Sequence, residues 1–244
     1  KLRGQERQKY RLGVQMIHQD VYASLNPAHT VYDIIAAPLR CHGLTKGEAG
    51  TQARVRELLQ MVDMTPPDDF LDKYPHQLSG GQRQRVSVAR ALTVIPSFIV
   101  ADEAVSMVDV SIRISLLNMM SKLKDAMGLS VLFITHDLAL AKYFAWQGRI
   151  AVMYLGKIVE LGPPADVFSR PLHPYTRALL RSMPAAGGEK GRLETIPGQV
   201  PDLARLPSGC AFRDRCPAAV EACAGSTPRL EERGHGHTVA CIRA

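Results

Sequence analysis

The 244-residue sequence lacks any apolar stretch long enough to cross a bilayer. Its longest apolar runs, Phe98–Ala101 and Val131–Ile134, fall far short of the about 20 residues that a membrane helix needs. The charged start, Lys1–Arg11, is not followed by an apolar leader segment, so we expect a cytosolic protein. Blocks of like charge are also missing. The net charge of +7 comes from scattered arginines, which argues against a nucleic acid as the partner.

Cysteine is scarce until the C-terminal region, where four of the five cysteines cluster in the pattern Cys-x5-Cys-x6-Cys-x17-Cys. These four are Cys210, Cys216, Cys223 and Cys241. In a cytosolic protein such a cluster indicates a metal or cluster site rather than disulfides. Zinc knuckles have tighter spacing, so we place a [4Fe–4S] cluster slightly ahead of Zn²⁺. A third alternative is four reduced thiols that bind no metal.

Short apolar runs alternate with helix-length amphipathic segments through the first two thirds of the chain. This alternation predicts an α/β fold with a parallel sheet covered by helices. The predicted strands are Val14–His18, Ser97–Ala101, Ser130–Thr135, and a hairpin of Ile150–Tyr154 with Lys157–Glu160. The predicted helices span residues 30–40, 48–63, 82–93, 111–127 and 138–145. Proline becomes frequent after residue 162, which predicts a main domain over 1–162 and a small appendage over 163–244.

The most specific motif is LSGGQRQR at residues 78–85, formed by Ser79, Gly80, Gly81 and Gln82 before a predicted helix. Two glycines let the backbone approach an anion, and the helix that follows points its free N–H groups at the same place. Ser79 adds a hydroxyl donor. A plain helix cap would explain Ser-Gly-Gly alone, but the full string favours a phosphate-binding turn.

Acidic and polar side chains stand where the predicted buried strands end. Asp102 and Glu103 follow one strand, His136 follows another, and Gln19 follows a third. Ligands bind at the carboxyl ends of parallel strands. Asp102 is suited to hold Mg²⁺ through water, and Glu103 to take a proton from attacking water. His136 could donate to a phosphate oxygen.

Each of these residues also has a structural alternative. A lone Asp-Glu pair is most often a solvated turn, and a lone histidine is most often structural. Gln19, whose amide could contact Mg²⁺ or the water, is a weak signal alone. Asp109 could simply cap the helix that follows it, a role compatible with a functional one.

Taken together, these motifs resemble the ABC ATPase family over residues 12–162. The resemblance implies that LSGGQRQR is the signature loop, with Ser79, Gly80, Gly81 and Gln82 contacting ATP. It implies that FIVADE (98–103) is the Walker B strand, with Asp102 on Mg²⁺ and Glu103 as the catalytic base. It further implies that His136 is the switch histidine, Gln19 the Q-loop glutamine on Mg²⁺ or the water, and Asp109 the D-loop aspartate. A helical subdomain at about 28–95 is also expected.

A narrower resemblance links the whole chain to the oligopeptide/dipeptide importer subfamily. It rests on VQMIHQDVYASLNP (14–27), HPYTRALLRSMP (173–184), IPGQVPDL (196–203) and the four-cysteine tail. The family implies ATP and Mg²⁺, a second ABC ATPase subunit, two membrane-spanning permease subunits and, indirectly, an extracytoplasmic peptide-binding protein. It places such a subunit on the cytoplasmic face of the membrane, with about Tyr22–Leu39 towards the permease. Nickel and some sugar importers share much of the pattern, so the transported substrate stays open.

The departure from the family with the largest consequence is that the sequence contains no GxxGxGK[ST] string, which the family carries upstream of the Q-loop. That string supplies the backbone cradle and the lysine for the β- and γ-phosphates. We therefore expect the polypeptide as given not to hydrolyse ATP alone, and we expect its sheet to expose apolar side chains. The alternative to an active subunit is a non-catalytic one that only completes a partner's ATP site.

Overall fold

The computed structural model describes residues 3–183 and 196–244, which belong to two compact units, Lys1–Asp137 and Leu138–Ala244. The elements of the first unit are α1 (Gly4–Gly13), β1 (Val14–Ile17), α2 (Val21–Ser24), α3 (Val31–Cys41), α4 (Gly47–Met61), α5 (Asp68–Leu71), α6 (Gly80–Leu92), β2 (Phe98–Asp102), α7 (Val110–Met127) and β3 (Ser130–Ile134). Those of the second are α8 (Leu138–Phe144), β4 (Ile150–Tyr154), β5 (Lys157–Gly162), α9 (Pro164–Ser169), α10 (Pro174–Arg181), α11 (Ala222–Gly225), β6 (Glu231–Glu232) and β7 (Thr238–Val239). Short 3₁₀ turns lie at Pro75–Gln77 and Arg213–Arg215.

The first unit is built on a parallel sheet of three strands in the order β1-β2-β3. The central strand β2 aligns Ile99 with Gln15 on one side and with Val131 on the other. Ile99 and Ala101 are buried, as a central parallel strand requires. Because all three strands run in the same direction, their carboxyl ends share one edge of the sheet. The predicted α/β class, with a parallel sheet and helices, is confirmed.

One face of this sheet carries exposed apolar side chains. Met16 is 42% exposed, Leu132 49% and Ile134 43%. Met16 and Leu132 both align with Val100 of β2, so they lie in one row across the sheet. The expected exposure of apolar sheet residues is therefore confirmed for these positions.

The helices α3, α4 and α6 pack on one another and bury a shared apolar core. Thr30 starts α3 with a capping box that includes Asp33, and α4 buries Val55, Leu58 and Leu59. Helix α1 was not predicted from the sequence. It buries none of its side chains, so it has no apolar periodicity for a sequence pattern to detect.

In the second unit, the C-terminal residues complete the sheet that the predicted hairpin begins. Strand β5 pairs with β4 and also with β7, giving the antiparallel order β4-β5-β7-β6. Its core is an aromatic cluster in which the rings of Tyr154, Tyr175 and Phe212 lie 4.7–5.3 Å apart, centroid to centroid. Phe212 is 1% exposed. Residues after 162 thus supply an essential part of this core.

A buried carboxylate ties three segments of the second unit together. Glu160 of β5 is fully buried and accepts hydrogen bonds from the backbone N–H groups of Leu172 (2.8 Å) and His173 (2.9 Å). Its Oε1 also lies 2.7 Å from Nε2 of His237, near β7. Burying a charge is costly unless it is paired and hydrogen-bonded, and all these contacts meet that requirement.

None of the described helices combines the length and apolar character needed to span a bilayer.

Candidate functional site

Three of the predicted site residues meet at the carboxyl edge of the parallel sheet. Glu103 follows β2 directly, Gln19 follows β1, and His136 follows β3. Gln19 Nε2 donates to Glu103 Oε2 at 2.6 Å, and His136 Nδ1 lies 2.9 Å from Glu103 Oε1. The carboxylate accepts, so the histidine Nδ1–H donates. Both oxygens of Glu103 are thus held, and the carboxylate is fixed between an amide and an imidazole.

The backbone of Glu103 is held in an uncommon conformation. Its φ of 45° lies in the left-handed region, which non-glycine residues rarely adopt. Two contacts fix it: its N–H donates to the carbonyl of Ile134 at 3.0 Å, and its carbonyl accepts from both the N–H and the Oγ of Ser106. Strained residues of this kind persist only where the surroundings determine them, and they cluster at functional sites.

The same edge exposes its polar groups unequally. The side chain of His136 is 74% exposed and that of Glu103 24% exposed. Asp102 ends β2 beside Ile134 and is half-buried. A ligand approaching from solvent can therefore reach the histidine directly and the carboxylates from one side.

The glycine-rich turn lies at the start of α6. Ser79 is the N-cap, and its Oγ accepts from the N–H of Gln82 at 3.3 Å while Gln82 Oε1 accepts from the N–H of Ser79 at 3.0 Å. This reciprocal capping box shows that the structural explanation from the sequence holds for Ser79. It also leaves the helix N-terminus, with its positive dipole end, at the surface because Ser79 is exposed.

Packing within the chain explains one of the two glycines. A Cβ at Gly81 would lie 2.7 Å from Ile112 Cγ2 of α7, closer than such contacts occur. Gly80 is less crowded: a Cβ there would lie 3.5 Å from Val108 Cγ1, an ordinary contact. The turn at 79–82 therefore lies against residues 107–112, which include Asp109.

Comparisons with known proteins agree with this arrangement. The family described as "ABC transporter" matches residues 1–106, and the family described as "Oligopeptide/dipeptide transporter, C-terminal region" matches residues 159–223. A Brucella ovis protein, named as a peptide import ATP-binding protein, is 44% identical over 244 residues, covering 99% of this chain and 75% of its own. The chain belongs to the ABC transporter ATP-binding family.

Two further comparisons support the assignment. The protein named as oligopeptide transport ATP-binding protein YkfD of Bacillus subtilis is 45% identical over 231 residues, covering 93% of this chain and 69% of its own. A dimeric post-hydrolysis structure of the ATP-binding cassette MJ0796, bound to ADP and Pi, superposes with a TM-score of 0.54 at 28% identity. That match covers 64% of this chain and 66% of the other.

A second structure shows the ABC fold alone. It is cbiO1 from Clostridium perfringens, part of the ABC transporter complex cbiONQ, with a TM-score of 0.59 at 23% identity. The match covers 67% of this chain and 62% of the other. As a family, ABC ATPases hydrolyse ATP with Mg²⁺, and the carboxylates at the sheet edge suit that chemistry.

Sequence reasoning missed the residue that shapes the loop between Glu103 and Asp109. Arg113 of α7 donates from Nε to the carbonyl of Val108 at 2.8 Å and from Nη2 to that of Ser106 at 3.1 Å. Asp109 occupies the N-cap of α7 but makes no side-chain capping bond, so its carboxylate does not serve its own helix. An arginine one turn into a helix is too common a feature to have indicated this role.

The four cysteines of the C-terminal region line one small pocket together with His173 and Phe212. Burial raises the pKa of the Cys210 and Cys216 thiols, and the neighbouring cysteines raise both further. Across residues 3–183 and 196–244, however, no group of three or more His, Cys, Asp or Glu side chains is arranged to hold a metal ion. The four thiols therefore line the same pocket, but within the described residues they do not form a metal-binding group.

Proposed function

We propose that this chain is the ATP-hydrolysing subunit of an importer for oligopeptides or dipeptides, working at the cytoplasmic face of the membrane. The observation that carries the proposal is Glu103, held between Gln19 and His136 where three parallel strands end. The substrate class is supported by the match to the oligopeptide/dipeptide transporter C-terminal region and by the names of the Brucella and Bacillus relatives.

In this proposal the residues at the sheet edge divide the chemistry among them. Glu103 accepts the proton of the attacking water, and His136 orients that water and donates to a phosphate oxygen. Asp102 and Gln19 would hold Mg²⁺, directly or through water, because that ion prefers oxygen ligands. The metal supplies charge neutralisation on the phosphates when bound. The 2.6 Å bond from Gln19 to Glu103 keeps the base in place before substrate arrives.

The turn Ser79–Gln82 and Asp109 serve a different ATP molecule, one held by a second ABC ATPase subunit. Ser79, Gly80, Gly81 and Gln82 would approach its terminal phosphate through backbone N–H groups and the serine hydroxyl. Asp109, whose carboxylate does not cap its own helix, is available to the partner subunit. In the dimer, each nucleotide would thus be bound by residues of both subunits, one half of the site from each.

The remaining assembly follows from the same proposal. Two permease subunits would contact about residues 22–39, and a peptide-binding protein outside the membrane would deliver the substrate. We assign residues 1–162 to the ATPase domain, with a helical subdomain at about 28–95, and 163–244 to the importer-type C-terminal region. The C-terminal family match at residues 159–223 supports that boundary.

The test is ATP turnover by the chain joined to a GxxGxGK[ST] segment, which its 244 residues lack, and assembled with an intact ABC ATPase partner and permease. Glu103→Gln removes the proton acceptor and keeps the shape, so we expect turnover at its own site to fall about 10²–10⁴-fold. Glu57→Gln, an exposed carboxylate on α4, is the control and should leave turnover unchanged. Equal turnover by the Glu103→Gln and Glu57→Gln assemblies would refute the role of Glu103.

A second candidate function is a non-catalytic subunit that only completes the partner's ATP site. It is favoured by the exposed cap residue Ser79 and by Asp109, whose carboxylate makes no capping bond to its own helix. Ser79→Arg, which places a bulky cation at the shared turn, then abolishes turnover while Glu103→Gln changes nothing. If the two substitutions reduce turnover alike, the chain is catalytic at its own site and this alternative is wrong.

We also propose that the four C-terminal cysteines bind a [4Fe–4S] cluster, with Zn²⁺ as the competing ligand. The support is their convergence on one pocket and the soft thiolate donor set that both ions accept. The role would be structural, stabilising the C-terminal region. Anaerobically purified protein with iron and sulfide in equal amounts favours the cluster, and one zinc per chain favours the alternative. Cys216→Ser, which lacks one proposed ligand, should lose whichever metal is bound. Neither metal in the unmodified chain would overturn both alternatives.

A further inference from the structure

The short helix α2 follows the site glutamine directly and determines where that glutamine lies. Asp20 caps α2, with its Oδ1 accepting from the N–H of Ala23 at 2.9 Å. Val21 and Leu25, at either end of the helix, are each 1% exposed. Gln19 is therefore attached to a small, anchored unit, and any shift of α2 moves the amide that bonds to Glu103.

Helix α6, which begins at the glycine-rich turn, holds α2 at two points. Arg83 and Arg90 are seven residues apart, about two helical turns, and so lie on the same face of α6. The guanidinium of Arg83 lies 4.2 Å from the ring centroid of Tyr22. Nη1 of Arg90 donates to the carbonyl of Ser24 at 2.6 Å. One arginine thus contacts the first turn of α2, and the other its last residue.

Arg83 also reaches the chain that leads into the glycine-rich turn. Its Nε donates to the carbonyl of Pro75 at 2.5 Å, and its Nη2 to that of His76 at 3.4 Å. Its backbone N–H donates to the carbonyl of Ser79 at 2.9 Å. A planar guanidinium can stack on a ring with one face and donate from its edge at the same time.

From these contacts we infer that Arg83 is a positioning residue that couples the Gln19 segment to the turn Ser79–Gln82. The two ends of this link belong to different half-sites in the proposed function, on which the inference rests. Tyr22 is 59% exposed, so the stacked contact is breakable rather than part of the core. A partner that displaces Tyr22 would then change both the Gln19 amide and the signature turn.

Coupling of this kind is reciprocal, which makes it measurable without nucleotide. Amide hydrogen exchange on the full chain reports Ala23 and Ser24 in α2, and Gln82 and Arg83 in the first turn of α6. Tyr22→Leu should raise exchange in the α6 turn, and Arg83→Met should raise it in α2. In each variant, the exchange rate of the segment that is not mutated should rise about threefold to fivefold. That factor corresponds to the free energy of one partly exposed cation–π contact.

Two conservative variants and a double variant separate coupling from simple loss of structure. Tyr22→Phe keeps the ring and should leave both segments unchanged. Arg83→Lys keeps a cation over the Tyr22 ring but loses the planar guanidinium that donates to the carbonyls of Pro75 and His76. Exchange in α2 should therefore stay slow, while exchange in the α6 turn should rise. The double variant, Tyr22→Leu with Arg83→Met, should exchange no faster than Arg83→Met alone, because Arg83→Met already removes the link to Tyr22. Peptides from β2 and β3 should exchange as before.

Unchanged exchange in the α6 turn of Tyr22→Leu, or additive effects in the double variant, would show that Arg83 only supports its own helix. Failure of the proposed function looks different: turnover then does not depend on Glu103, whatever the exchange data show. If a substitution in one segment changes exchange in the other but turnover does not depend on Glu103, the coupling stands and the ATPase role is wrong. If turnover depends on Glu103 but exchange in the other segment does not change, the ATPase role stands and the coupling is wrong.

Discussion

Acidification is expected to destabilise the second unit through one buried histidine, His173. This residue is 2% exposed and caps α10, where its Nδ1 accepts from the N–H of Tyr175 at 3.0 Å. Burial lowers the pKa of His173 to about 4. That pKa is the net result, in which the Glu160 carboxylate offsets part of the burial effect and the positive charge of Arg177 adds to it. The folded state therefore holds His173 neutral over a range where the unfolded chain protonates it.

The size of the effect follows from the two pKa values. With about 6.5 in the unfolded chain and about 4 in the folded one, the stabilisation is complete above pH about 6.5 and is lost as the pH falls towards about 4. Proton linkage then gives a loss of about 1.4 kcal/mol at pH about 5.5 and about 2.5 kcal/mol at pH about 4.5. Either value is a large part of the stability of an ordinary domain.

The assay is urea unfolding of the full chain, followed by the near-ultraviolet circular dichroism of Tyr154, Tyr175 and Phe212. The matched variant is His173→Asn, because asparagine keeps a capping acceptor but does not titrate. Titrating groups that do not contact residue 173 contribute equally to both proteins and cancel in the difference. We expect the unmodified chain to lose about 2.5 kcal/mol relative to His173→Asn between pH about 7.5 and about 4.5. Parallel stability curves for the two proteins would refute the reasoning.

Two further outcomes test the packing. Gly81→Ala should cost about 1–3 kcal/mol in chemical denaturation because its Cβ would overlap Ile112, whereas Gly80→Ala should change stability by less than about 0.5 kcal/mol. Equal effects at both glycines would contradict the packing explanation. Glu160→Leu should cost about 3–5 kcal/mol because it leaves His237 and two backbone N–H groups without an acceptor, while Glu160→Gln keeps an acceptor oxygen and costs less. A milder effect for leucine than for glutamine would count against that account.

The elements that the sequence predicted are those with a strong local pattern. The strands β1 to β5 and the helices α3, α4, α6, α7 and α8 all formed within a few residues of their predicted bounds. Each has either a short apolar run or a helical apolar face, and such signals depend only on neighbouring residues. The elements α1 and β7 have weak patterns, and β7 exists because β5 offers it an edge to pair with.

For the site, the sequence indicated the correct edge of the sheet. Gln19, Glu103 and His136 each end a strand, and parallel strands end together. The direct bonds among them were not predictable, because they join side chains 84 and 33 residues apart. The roles of Arg83 and Arg113 were likewise hidden, since both depend on carbonyl groups that only the folded backbone presents.

The sequence by itself determined the family, the order of the strands and helices, and the residue types at each strand end, because those are encoded in local periodicity and in one contiguous motif. Only the tertiary structure decided that both oxygens of Glu103 are occupied, that Gly81 is required by packing against Ile112, and that the C-terminal residues share a core with the hairpin. The physical reason is that hydrogen bonds and close contacts depend on distances across the fold, and no spacing along the chain fixes those distances.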